Sequence, residues 1–125
     1  MAKKTAPRAK RGFFVKDFRS FLSLVRFEHG IMYAVAVVIG ALMVGGFESL
    51  SSAVLVGCLV SVFVEFGAFS LNDFVDLKTD VANKRKDRPL VTGKVSSFAA
   101  LAIGILSFVL ANAAAFLFLH PLAFW

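Results

Sequence analysis

Four polar side chains, Asn72, Asp73, Asp76 and Asp80, follow directly on a long apolar run. On a helix that continues to Asp80, a rotation of about 100° per residue puts Asp73 and Asp80 almost in line, with Asn72 and Asp76 beside them. All four then share an arc of roughly 100° over ~12 Å of helix axis. Carboxylates this close repel one another unless a cation sits between them. Magnesium suits such a stripe, because it binds through a few carboxylates together with the phosphates of a substrate. A basic stretch follows at once, Asn83-Lys84-Arg85-Lys86-Asp87-Arg88-Pro89-Leu90. Acids that hold a divalent metal, next to cations that hold phosphate oxygens, describe a polyphosphate site in two parts. The plainer alternatives are a solvated helix end for the acids and a topology-setting loop for the cations.

The elements that must position these residues are membrane elements. Hydrophobic residues make up 58% of the chain, Phe occurs 15 times, and the mean hydropathy is +0.79, far from a soluble composition. A length of 125 residues gives room for about three spans in one small bundle. Residues 1–12 are basic, without an acid, and read as a tail. Over 13–27, Phe14, Phe18, Phe21, Leu22 and Val25 recur at helical spacing opposite Lys16, Arg19, Ser23 and Arg26. This predicts an amphipathic helix in the membrane interface with its basic face toward anionic head groups. Transmembrane helices are expected over 30–47, 50–76 and 95–119, with a basic loop over 77–94. His120-Pro121 ends the third, since proline cannot continue the ladder. Small residues, Gly57 with Ser61 and Gly104 with Ser107 and Ala111, offer close helix contacts. Asn112 suits an interhelical hydrogen bond, and His29 a structural role.

Charge placement sets the expected orientation. Eight basic residues precede the first span and six lie between Lys78 and Lys94, whereas the loop between the first two spans holds Glu48 and no Lys or Arg. The positive-inside rule therefore puts the N-terminus and the basic loop in the cytoplasm of a multi-pass cell-membrane protein and the C-terminus, with Phe124 and Trp125, outside. The lone Cys58 excludes an intrachain disulfide. No His/Cys cluster suggests zinc, no Gly-rich nucleotide loop is present, and no nucleic-acid partner is expected.

The run Asn72-Asp73-Phe74-Val75-Asp76-Leu77-Lys78-Thr79-Asp80 resembles the NDxxDxxxD signature of the UbiA superfamily of intramembrane prenyltransferases. Asn83 to Gly93 resembles the segment that follows it in that family, and Arg26-Phe27-Glu28-His29 the start of its first helix. The resemblance implies an all-α bundle in which Asn72, Asp73, Asp76 and Asp80 hold magnesium on the diphosphate of an isoprenoid donor, Asp73 and Asp76 being central to catalysis. Lys78, Lys84, Arg85 and Arg88 would contact the diphosphate oxygens. Glu65, seven residues before Asn72 and on the same face, would be either part of the chamber wall, toward an acceptor, or a helix-packing glutamate.

Family members have about nine helices and a second Asp-rich motif, whereas this sequence holds three spans and no acidic cluster after Asp87. It therefore reads as a fragment or as a split subunit that needs a second polypeptide and is inactive alone. The expected reaction transfers geranylgeranyl to geranylgeranylglyceryl phosphate, in archaeal ether-lipid synthesis. The alternatives are 4-hydroxybenzoate or a related quinone precursor as acceptor, or a non-catalytic three-helix accessory protein.

Overall fold

The computed structural model describes residues 12–119; the basic tail through Arg11, His120-Pro121 and the aromatic pair Phe124 and Trp125 lie outside the described residues. The elements in order are α1 (Phe18–Val25), α2 (Phe27–Gly45), a 3-10 turn (Gly46–Ser49), α3 (Ser52–Val75), α4 (Leu77–Ala82) and α5 (Ser97–Phe118). Helices α2, α3 and α5 are each long and apolar enough to cross a bilayer, so the chain is a multi-pass membrane protein. Helix α3 is central and packs most extensively on α5 and next on α2; no comparable contact joins α2 to α5. The spans therefore form an open row rather than a closed triangle.

Missing side chains set the spacing of the row. A Cβ on Gly67 would come within 2.8 Å of the Phe108 ring and 3.1 Å of the Gly104 carbonyl, and one on Gly104 within 2.7 Å of Leu71. Gly104, Ser107, Ala111 and Ala115 line the buried stripe of α5. The small-residue stripe expected there thus packs, with Gly67 as its partner on α3. Gly57 instead faces Val37 of α2, and the Asn112 amide bonds the Phe108 carbonyl of its own helix at 2.8 Å rather than a neighbouring helix.

The remaining core sits at one end of the row. Leu24 of α1, Leu90 and Val95 of the loop, and Ala99 and Ala100 of α5 are buried together, with Phe74, Leu77, Val15 and Ile103 against them. This cluster clamps α1, the end of α3 and the loop around the polar residues.

The segment expected as one helix over 13–27 is helical only from Phe18. Residues 14–16 pair with 94–96 instead: Lys16 N donates to Lys94 O at 2.8 Å, Ser96 N donates to Phe14 O at 2.9 Å, and Val15 forms a bridge to Val95. The Ser96 hydroxyl ties the junction, donating to Gly12 O at 2.8 Å and accepting from Phe14 N and Ala99 N at 3.1 Å each. It thereby caps α5 and satisfies the arm together. Asp17 then starts α1 by accepting from Ser20 N at 2.7 Å, a bond that holds its carboxyl below the ordinary range.

Two other boundaries differ from expectation. Helix α3 stops at Val75, but Asp76 N still donates to Asn72 O, and Asp80 N to Asp76 O, at 2.8 Å each, so α4 continues the ladder with a break at Asp76. The expected loop over 77–94 therefore begins as helix. Its remainder is a hydrogen-bonded turn: Lys94 N donates to Pro89 O at 2.9 Å, Gly93 N to Leu90 O at 3.1 Å and Thr92 N to Arg88 O at 3.1 Å, with Gly93 at φ 70°.

Candidate functional site

The sequence places Asp73 in the last turns of an apolar helix, and the fold buries it, with 2% of its surface exposed. A buried carboxylate needs a counterion. Arg88 supplies it, its Nη1 donating to Asp73 Oδ1 at 2.7 Å. Arg26 stands behind, with Nη2 at 3.7 Å from the same oxygen. Asp80, on α4 and also buried, reaches the other side of the same guanidinium, with Oδ2 at 3.8 Å from Arg88 Nε; Asp87 Oδ2 is 3.7 Å from that nitrogen. Arg88 thus occupies the position between Asp73 and Asp80 where the sequence called for a cation.

Leu90 anchors the loop in the buried cluster two residues past Arg88, and the turn over 88–95 fixes the backbone between them. Arg26 is placed by an unusual backbone: at φ 48° and ψ 59° it joins α1 to α2 in the left-handed region, which costs a residue with a side chain about 1–2 kcal/mol. Its guanidinium lies 4.1 Å from the centroid of the Phe69 ring, a contact that offsets part of the cost.

Of the expected metal ligands, the structure brings Asp73 and Asp80 to one guanidinium, leaves Asp76 half-buried at the α3–α4 break, and exposes Asn72. Among the described residues, no three His, Cys, Asp or Glu side chains converge as a metal cluster. The donor set still fits magnesium. It is all oxygen, it already holds a positive charge, and this ion takes only one or two protein carboxylates with phosphate oxygens and water.

Of the expected diphosphate contacts, Arg88 is at the centre, while Lys78 and Lys84 are exposed. Arg85 is bidentate to Asp87 at 3.0 and 2.9 Å. That pair holds the Asp87 carboxyl below its usual range and raises Arg85. Glu65 is half-buried on α3 without a hydrogen bond or ion pair among the described residues.

Sequence reasoning missed Arg26 as a site residue by assigning it to the outward basic face of α1. It turns inward, onto Phe69 and Asp73. The available signal was its position as the last cation before the first uncharged run.

The profile of the UbiA prenyltransferase family matches residues 30–125, which contain the Asp73–Arg88 pair and most of the residues around it. The chain belongs to the UbiA prenyltransferase family. Two relatives are both named digeranylgeranylglyceryl phosphate synthase. The protein from Archaeoglobus fulgidus is 42% identical over 87 residues, covering 70% of this chain and 30% of the relative. That from Saccharolobus solfataricus is 29% identical over 94 residues, covering 75% of this chain and 33% of the relative. The chain thus spans about a third of the length of the curated relatives it matches. No solved structure matches significantly.

Proposed function

We propose that the Asp73–Arg88–Asp80 site receives the diphosphate of an isoprenoid donor, as the amino-terminal part of a prenyltransferase that transfers geranylgeranyl to geranylgeranylglyceryl phosphate. The observation that carries this reading is Arg88. A guanidinium held between two buried aspartates, beside further basic residues and at one end of an apolar bundle, suits a polyanion with a long hydrocarbon tail. The printed names of the relatives favour the lipid acceptor over a quinone precursor.

Asp73, Asp76 and Asp80 with Asn72 would hold magnesium, and Lys78, Lys84, Arg85 and Arg88 the diphosphate oxygens. When bound, magnesium supplies Lewis-acid charge to the leaving diphosphate. The guanidinium and ammonium groups stabilise the negative charge that develops as the donor's carbon–oxygen bond breaks. The apolar spans keep water from the allylic cation until the acceptor hydroxyl attacks, forms the new ether bond and releases its proton. Glu65, one face deeper along α3, lines the chamber toward the acceptor.

The positive-inside rule supports placing the site and the N-terminus in the cytoplasm and the C-terminus outside. The relatives' greater length supports a site completed by further helices, on a longer chain or a second polypeptide, so the 125 residues alone are expected to be inactive. The test is a prenyl-transfer assay with and without magnesium, after co-expression with a polypeptide carrying the remaining helices. Asp76→Ala should abolish turnover while membrane insertion is retained. Full turnover in that variant, or turnover by the 125 residues alone, would overturn the corresponding assignment.

A further inference from the structure

Two cavities meet at Asp17, where the amino-terminal arm turns into α1. One is apolar and is lined by Phe13, Val15, Phe18, Phe21 and Ile103 beside Asp17 itself. Ile103 lies about 9 Å along α5 from its first residue, Ser97, so this groove reaches from the end of the bundle into the apolar part of a span. Phe13 and Phe18 are 62% and 73% exposed, and Phe98, in the first turn of α5, is 57% exposed. Rings turned outward at the end of a span bury themselves in the membrane leaflet.

The other cavity, of about 440 Å³, is polar and brings Arg19 of α1 together with Lys86 and Lys94 of the loop, beside the carboxylates Asp17 and Asp87. Those carboxylates are engaged elsewhere. Asp87 is held by Arg85 at 3.0 and 2.9 Å, and Asp17 Oδ1 accepts from Ser20 N, while Lys16 and Lys94 act on Asp17 only through space. Arg19, Lys86 and Lys94 are exposed, and none of them makes an ion pair or a side-chain hydrogen bond among the described residues. Three cations thus stand open to an anion.

Their surroundings indicate where the anion comes from. Phe18 and Arg19 are consecutive and so point about 100° apart, which turns one side of α1 to the apolar groove and the next to the basic cavity. Hydrocarbon followed by phosphate is the order of groups in a leaflet. We propose that the polar cavity binds the phosphate head group of an anionic membrane lipid, held by Arg19, Lys86 and Lys94, with the acyl chains running past Phe13 and Phe18. None of the three cations is among those assigned to the isoprenoid donor. A lipid bound here bridges α1 to the loop that carries Arg88, and so steadies that loop.

The test titrates the 125-residue chain in neutral detergent with phosphatidylglycerol or phosphatidylcholine and counts bound lipid by native mass spectrometry. The parent should bind phosphatidylglycerol at least about tenfold more tightly, since each basic residue near an anionic lipid contributes roughly a factor of five. Arg19→Gln, Lys86→Gln and Lys94→Gln should each remove about that fivefold and leave phosphatidylcholine binding as it was. Lys16→Gln, which removes an equally exposed cation outside the cavity, should change phosphatidylglycerol binding by less than about twofold. Equal affinity of the parent for the two lipids would overturn the proposal. So would equal losses in Lys16→Gln and the cavity variants, the mark of diffuse attraction to a basic surface. Displacement of phosphatidylglycerol by millimolar inorganic phosphate would overturn the lipid assignment, because the rings would then add nothing. In nanodiscs, hydrogen exchange of the Gly93 and Lys94 amides, which close the turn after Pro89, should slow severalfold when phosphatidylglycerol replaces phosphatidylcholine. Unchanged exchange would overturn the bridge to the loop.

Discussion

At the residue scale the decisive pair is Asp73 and Arg88, and its two members were unequally legible. Asp73 stood out because a carboxylate at the end of an apolar run demands a reason. Arg88 was legible as one of several loop cations, but not as the one that turns inward. That choice depends on Leu90 entering the core and on the turn around Pro89 and Gly93, both tertiary facts. Removing one partner of a buried pair strands the other, so Arg88→Met should destabilise the fold by about 3 kcal/mol. Thermal unfolding in detergent measures this, and adding Asp73→Asn should restore a large part of the loss. Arg85→Gln, which breaks a more exposed pair, should leave the melting temperature unchanged.

At the element scale the spans were readable from hydropathy alone, whereas what joins them was not. Periodicity gave α1 an apolar face but did not reveal that residues 14–16 leave the helix to pair beside Ser96, a contact across 82 residues. The start of α1 depends on Asp17. Its folded carboxyl lies below the ordinary value of 3.8, so the stabilisation is complete above that value and is lost as the pH falls through the lower folded value. Helicity of Asp17→Asn, a cap without a charge, should show no such acid step. The close approach of α3 and α5 gives a second expectation. Gly67→Ala drives a methyl group into Phe108 and the Gly104 carbonyl and should cost about 1–3 kcal/mol. Gly40→Ala, with open space on α2, should be neutral or slightly stabilising, as unfolding in detergent would show.

At the scale of the whole molecule, two of the three spans flank a central one and leave wide apolar surfaces uncovered, as suits a family whose relatives are about three times as long. The sequence announced a membrane bundle and an acidic stripe. It did not announce that the stripe would be divided, with Asp73 and Asp80 turned to one arginine, Asp76 at a helix break and Asn72 outward, because that depends on where the loop docks. The knot at Ser96 also carries a message about timing. Gly12 and Phe14 emerge from the ribosome more than 80 residues before the hydroxyl they bind, so the amino-terminal arm cannot lock until synthesis has reached the last span. The first two spans are therefore made before the arm has anything to pair with, and the junction around Ser96 forms as a late act of biogenesis.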